Sequence, residues 1–391
     1  MKTLIELYDE RPIENVLASE VFKPQRTVFL CPPEVAQDKN IQRKLKAYFT
    51  HRGVDTELVF LESSLYNSGK IEKQLRGIAE KYPDCVLDIT GGTDAALFAG
   101  GRLCGETDMP AFTYSRKRRC FYGIHNAHFG DELDCNIQHS VEDCFLMAGG
   151  ALREGRVDNS IIVNYMDKIE PYFALYMKHR REWTSAVTYL QRATQAEKGM
   201  PAPLQISAPY SVKGERGSMV SAPEEQLKDF EELGFISGLS IGADKVKFKF
   251  KDSRVRAWMR DAGSVLELHI YKICLDTGLF NDVVTSAVVD WEGDFRSDNV
   301  TNEIDVMAMQ GIVPLFISCK TCDISTEALN ELAILRDRFG GKAAKAIIVS
   351  SERCRNITRH RATELGIDVI DLEDLEDGKV SEQINNIMNR E

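Results

Sequence analysis

Over the first 150 residues, short apolar runs alternate with stretches in which apolar positions recur every three or four residues. The runs at 3–8, 27–31, 56–61, 85–89 and 111–114 predict strands, and the periodic stretches 12–19, 40–51, 70–81 and 94–103 predict helices. Strands alternating with helices of this length give a doubly wound, mostly parallel sheet, which binds its ligand outside the carboxyl ends of its strands. The pattern then changes. Residues 165–197 are rich in Lys, Arg, Glu and Tyr and predict one or two long helices, broken by Met200, Pro201, Ala202 and Pro203. A helix at 223–233, ended by Gly234, precedes apolar runs at 235–241 and 246–250 around a turn at Gly242, Ala243 and Asp244. From 252 onward the order is helix 255–275, strands 283–289, 303–309 and 313–319, helix 326–339 and strand 346–349.

The 391 residues suffice for two or three cores, and 43% hydrophobic with 28% charged residues is ordinary for a soluble globular protein. No run is long enough to span a bilayer and no secretion leader is evident, so a cytoplasmic location is expected. Ten cysteines without a disulfide framework agree with a reducing compartment. A net charge of −11 argues against general coating of nucleic acid. A protein of this charge that acts on nucleic acid needs a local basic groove, a metal ion or a gate.

Two regions carry candidate chemistry. In the C-terminal third, Glu303 and Asp305 share one face of a strand, Gly311 supplies the turn, and Ser318 and Lys320 share one face of the next strand. A hairpin would bring the acids beside the lysine, an arrangement too costly in a mostly buried sheet unless the charges are paired or bind a metal. In the N-terminal third, Tyr8, Asp9 and Glu10 end one strand, while Thr90, Gly91, Gly92, Thr93 and Asp94 join another to a helix. Paired glycines between strand and helix admit a phosphate, with threonine hydroxyls and the helix N-terminus as donors; a plain tight turn capped by Thr93 or Asp94 explains the same residues. Ser115 and Arg116, followed by Lys117, Arg118 and Arg119, are further candidates for contact with ligand phosphates or substrate, with a solvated loop as the default for such a charge run.

The strand pair resembles the PD-(D/E)xK restriction-endonuclease-like superfamily over roughly 252–391, with Asp305 as first acid and Lys320 as the lysine. Ser318 stands where an acid is usual. The resemblance implies Asp305, Lys320, Glu267 and Ser318 as catalytic residues. It also implies a divalent ion, Mn2+ or Mg2+, held by Asp305, Glu267 and the backbone carbonyl of Cys319, with Glu303 in reserve. The missing acid implies a weaker metal site favouring manganese. The N-terminal strand ends resemble a CARF domain, the Rossmann-like sensor of cyclic oligoadenylates, and the whole chain resembles CARF–nuclease effectors of the Card/Can type in type III CRISPR systems. Expected from this are a CARF domain at 1–150, a helical, winged-helix-like connecting region at 151–251 and a nuclease domain at 252–391. A homodimer activated by cyclic tetra-adenylate, cleaving DNA, RNA or both, is also expected.

The connecting region is expected to act as a spacer, because its helix carries Glu224, Glu225, Asp229, Glu231 and Glu232. The alternatives are a ligand-responsive DNA-binding regulator with an inactive nuclease-like domain, and a sensor that degrades its own ligand. The Cys319–Cys322 pair lacks a zinc-ribbon partner, and His125, His128, Cys135 and His139 fit no standard zinc module, so surface histidines are expected.

Overall fold

In the computed structural model, residues 1–64, 66–153, 162–195, 202–214, 217–294, 296 and 298–390 are described. The N-terminal strands are β1 (Thr3–Leu7), β2 (Arg26–Cys31), β3 (Glu57–Glu62), β4 (Cys85–Asp88), β5 (Ala111–Ser115), β6 (Cys120–His125) and β7 (Glu132–Asp134). They form one seven-stranded sheet in the order β3-β2-β1-β4-β5-β6-β7, parallel through β5 and antiparallel beyond it. The chain leaves β1 toward β2 on one side, and β4 joins on the other. The topological switch point, where α/β sheets place ligands, therefore lies between β1 and β4. Helices cover both faces: Ile5, Leu7, Val28 and Leu87 pack against the helices Ser68–Lys81 and Asp94–Thr107, and Phe29 packs against Lys39–His51.

Ala151–Leu152 (β8) crosses to the C-terminal sheet. The middle of the chain holds β9 (Gln205–Pro209), β10 (Ser211–Lys213), β11 (Met219–Ser221), β12 (Ile236–Ile241) and β13 (Lys245–Phe250). β12 and β13 form the expected hairpin, and β9 completes a three-stranded sheet with β13 at its centre. The long helical stretch is two helices, Met166–Lys178 and Trp183–Ala193; the expected break begins outside the described residues.

The C-terminal strands β14 (Asp282–Asp290), β15 (Thr301–Gln310), β16 (Val313–Lys320), β17 (Lys345–Ser350) and β18 (Asp368–Ile370) make a six-stranded sheet in the order β18-β17-β16-β15-β14-β8. Its antiparallel half is the β14-β15-β16 meander; β16, β17 and β18 are parallel. One face, with Val306, Ile317, Cys319 and Val349, shares a continuous core with the helix Ser264–Asp276 and the middle unit, including Tyr172, Trp183 and Phe248. The other face, with Met307, Phe316 and Ile348, packs against Thr326–Leu335 and against Val141 and Phe145 of the helix Val141–Met147. The single helix expected at 255–275 is instead two, Ser253–Met259 and Ser264–Asp276. Arg260 to Gly263 interrupt it, where the Asp261 carboxylate takes the Gly263 N–H and Ser264 hydroxyl that a continuous helix would commit elsewhere.

Candidate functional site

β15 and β16 turn at Gly311 (φ +62°), a conformation that favours glycine, and the pair Gln310–Val313 sets the register. Counting from the last ladder pair, Val306–Ile317, Asp305 falls opposite Ser318 at the far end of the hairpin. The Asp305 carboxylate accepts from the Cys319 backbone N–H (2.6 Å) and the Ser318 hydroxyl (3.1 Å), and the Lys320 ammonium lies 3.6 Å away. Ser318 thus serves as a donor that orients Asp305. The acid usual at this position would repel it.

Glu267, on the helix Ser264–Asp276, accepts from the Ser286 hydroxyl (3.3 Å). Burial, with the charges of Asp305, Asp261 and Glu303, pushes its carboxyl up to about 8. The structure therefore brings Asp305, Lys320, Ser318, Cys319 and Glu267 together, with Glu303 close enough to act on Glu267. Ser286, across β14 from Asp305, has φ +53°, and the β14–β15 ladder omits this one pair. Thr285 holds the strand there by donating to the Asp305 carbonyl (2.8 Å). Left-handed backbone at a non-glycine residue concentrates at functional sites. No sequence pattern pointed to Ser286.

At the other end of the molecule, Asp9 leaves β1 into a bidentate pair with Arg11 (2.6 and 2.5 Å) and accepts the Gly92 N–H (3.1 Å). Burial favours its protonated form, but these donors outweigh burial and hold it below the usual carboxylate range. The two glycines let the loop lie directly on the end of β1. A Cβ on Gly92 (φ +94°) would stand 2.7 Å from the Leu7 Cβ, and one on Gly91 3.0 Å from the Asp9 Cβ. Thr93 caps the helix Asp94–Thr107, and the Thr90 hydroxyl accepts the Tyr114 N–H (2.8 Å), so part of the loop serves the fold. Arg116 pairs with the buried Glu14 beside Arg11, and burial lowers its basicity. It is thus not a solvated loop residue. Ser115 ends β5 and accepts the Arg118 N–H (3.4 Å); Tyr8, Glu10 and Asp94 complete the rim, the last two exposed.

Beneath this rim Glu6 and Asp88 lie side by side in register on β1 and β4, 1% and 2% exposed. Burial pushes Asp88 up to about 7, and burial together with the Asp88 charge raises Glu6 well above its ordinary value. An open cavity of about 730 Å³ adjoins the rim at the ends of β2 and β3, lined by Glu10, Ser63, Tyr66, Lys70, Lys73 and Gln74. Nothing in a single sequence distinguishes Lys70 and Lys73 from ordinary helix lysines; the fold places them on this cavity.

The two ends are joined through residues 139–143. The Gly311 carbonyl accepts the His139 N–H (2.9 Å), the Gly311 N–H donates to the Asn281 side chain (2.7 Å), and Asn281 donates to the His139 carbonyl (2.8 Å). His139 is fully buried rather than a surface histidine, with its ring 3.0 Å from Glu20 and 3.2 Å from the Tyr48 hydroxyl. Arg52 closes this network by pairing with Glu20 and Asp143 (2.9 Å each).

Residues 254–390 match the family model of the Card1-like endonuclease domain. No curated protein matches the chain in sequence. The fold superposes on protein VC1899 from Vibrio cholerae with a TM-score of 0.76 at 16% identity, covering 98% of this chain and 97% of that one. It superposes on Can2 from Sulfobacillus thermosulfidooxidans, solved in complex with cyclic tetra-adenylate, with a TM-score of 0.71 at 15% identity over 100% of both chains. The chain thus shares the fold of these two proteins over almost its whole length, and its residues 254–390 are similar to the Card1-like endonuclease domain.

Proposed function

We propose that this protein is a nuclease of type III CRISPR defence, switched on by a cyclic oligoadenylate and cleaving DNA, RNA or both. The observation that carries the proposal is the β15–β16 hairpin. One end presents Asp305 and Lys320, and the other is tied at Gly311 to the sensor half. A ring of adenylates, with cyclic tetra-adenylate preferred, would occupy the crevice at the ends of β1 and β4, in reach of Arg11, Arg116, Lys70 and Lys73. Binding that differs in strength between two arrangements of the 139–143 segment would bias the hairpin and so the site.

The donor set fits a hard divalent cation, Mn2+ or Mg2+. Glu267 is pushed up first by burial and then by the charges of Asp305, Asp261 and Glu303, so several carboxyl groups converge where Lys320 lies 3.6 Å from Asp305. Among the described residues no group of three or more His, Cys, Asp or Glu side chains is placed to hold a metal ion; the proposed set is the Asp305 and Glu267 carboxylates with the Cys319 carbonyl. A bound ion would activate water and offset charge on the phosphate. Lys320 orients the water or stabilises the developing negative charge, Asp305 holds Lys320 in place, and Ser318 fixes the Asp305 rotamer.

A homodimer, with ligand across its two-fold axis, is supported by the open face of the helix Asp94–Thr107, where Phe98 is 61% exposed and a side chain added at Gly101 or Gly105 would meet nothing within 4 Å outside its own helix. No helix of the described residues is long and apolar enough to cross a membrane, which is compatible with a cytoplasmic effector. Labelled single- and double-stranded DNA and RNA, incubated with the protein, Mn2+ or Mg2+ and each cyclic oligoadenylate, test the reading. Cleavage confined to reactions containing an activator supports it, and no cleavage in any combination rejects it.

A further inference from the structure

The middle unit was expected to be a spacer because its helix Glu224–Leu233 is acidic. In the fold that helix lies on one side of the three-stranded sheet, packing Leu227 and Phe230 with Val246, Phe248 and Phe250. The opposite side of the sheet is exposed and chemically different. The central strand β13 alternates strictly, burying Val246, Phe248 and Phe250 and exposing Lys245, Lys247 and Lys249. Same-face side chains on a strand recur roughly every 6.7 Å, so the three ammonium groups form a straight row. Their cross-strand neighbours carry no charge: Ser237 and Ser240 on β12, Gln205, Ser207 and Pro209 on β9. None of the three lysines makes an ion pair among the described residues.

We propose that this face binds the phosphate backbone of a nucleic acid strand and delivers it to the nuclease domain, an inference that rests on the nuclease reading above. Three unpaired cations in line, flanked by hydroxyl and amide donors, suit phosphate oxygens, which take most of their contacts from such groups. An acidic protein partner fits less well, because interfaces of that kind are anchored by buried aromatic or apolar side chains. The exposed positions of the three strands are Lys, Ser, Gln, Gly and Pro. The same absence of aromatic groups makes the contact one of charge rather than base stacking, hence independent of sequence. The face also reconciles a net charge of −11 with a polyanionic substrate, since a local row of cations can meet phosphates on a chain that is acidic as a whole.

The test uses the full-length protein and a fluorescein-labelled single-stranded DNA oligonucleotide, with binding followed by anisotropy in EDTA and cleavage measured separately. Lys245, Lys247 and Lys249 are changed together to Gln, with Lys320→Ala as the comparison. The triple variant is expected to bind at least about tenfold more weakly at low salt. Its plot of log affinity against log salt should flatten by about 2, at about 0.7 per phosphate contact on single strands. Lys320→Ala is expected to keep wild-type binding and salt slope while losing cleavage. Wild-type affinity and slope in the triple variant, or no binding by the wild type, would overturn this proposal. Cleavage by Lys320→Ala at the wild-type rate would instead overturn the nuclease reading and leave the binding result standing.

Discussion

Asp9 and Asp305 both sit at strand ends beside a cation, yet their surroundings differ. Asp9 is gripped by two guanidinium nitrogens and a loop N–H, and the acids beneath it, Glu6 and Asp88, are buried with raised affinity for protons. Asp305 meets one lysine at 3.6 Å and faces Glu267, whose carboxyl is pushed up to about 8 by burial and by its acidic neighbours. At the N-terminal end the Asp9 carboxylate is tightly paired and the buried acids lie beneath it, whereas at the hairpin end Asp305 and the buried Glu267 converge beside one lysine. The first arrangement leaves its carboxylate already partnered. The second is suited to the proposed cation. On the proposed function, the difference puts recognition at one end and chemistry at the other, with the Gly311 turn between them.

The largest effect is expected at the nuclease end. Asp305→Ala should lower activated cleavage by roughly 10²–10³-fold or more, the scale of losing an electrostatic catalytic group, while cyclic tetra-adenylate binding measured by calorimetry stays at the wild-type value. Equal losses of binding and cleavage would erase the distinction between the two ends.

Asn281→Ala probes the joint. It removes the donor to the His139 carbonyl and the acceptor for the Gly311 N–H. Activation by ligand should fall roughly 5–150-fold, the range of ordinary coupling energies, with ligand affinity little changed and the same cleavage products. Full activation in this variant would mean that the signal takes another route.

Gly92→Ala sharpens the sensor half. Its φ of +94° and the 2.7 Å approach to Leu7 make any side chain strained there. A cost of about 1–3 kcal/mol is expected, read as a lowered Tm and weaker ligand binding, with a smaller effect on Mn2+ affinity.

The smallest effect concerns pH. Asp88, pushed up to about 7, holds a proton in the folded state that an unfolded aspartate, near 3.9, releases. The stability this group contributes is complete below about pH 4 and is lost as pH rises through about 7. Asp88→Asn keeps an oxygen for the Thr90 N–H and removes the titration. Its Tm should exceed that of the wild type above about pH 8, by roughly 2–4 °C for each kcal/mol recovered, and match it near pH 4. A constant difference across that range would show that Asp88 does not titrate as described.

Much of the architecture is legible in the sequence because period-2 and period-3.6 patterns report burial directly. The five parallel strands of the first sheet and the β14-β15-β16 meander fall where the apolar runs place them. β9 escaped because its five residues, Gln205 to Pro209, expose Gln, Ser and Pro and bury only Ile206 and Ala208. The break at Arg260–Gly263 escaped because the apolar periodicity continues across it while Asp261 redirects the backbone donors. At the nuclease end the residues named from the motif lie together, since a hairpin register fixes which side chains face each other. The joint was not legible. His139, Asn281 and Gly311 lie far apart in sequence and act largely through backbone groups, which carry no residue signature. The lysine row was visible as alternation, but its significance depended on which side of the sheet the acidic helix occupies.

A ligand-switched site built on one hairpin requires Lys320 for cleavage but not for ligand binding, so wild type and Lys320→Ala are compared. Single-turnover cleavage of a labelled substrate is measured in Mn2+ with and without cyclic tetra-adenylate. Rapid cleavage is expected only from the wild type and only with the ligand, with Lys320→Ala binding the ligand normally but failing to cleave. Equal cleavage by both proteins, or wild-type cleavage indifferent to the ligand, would contradict it.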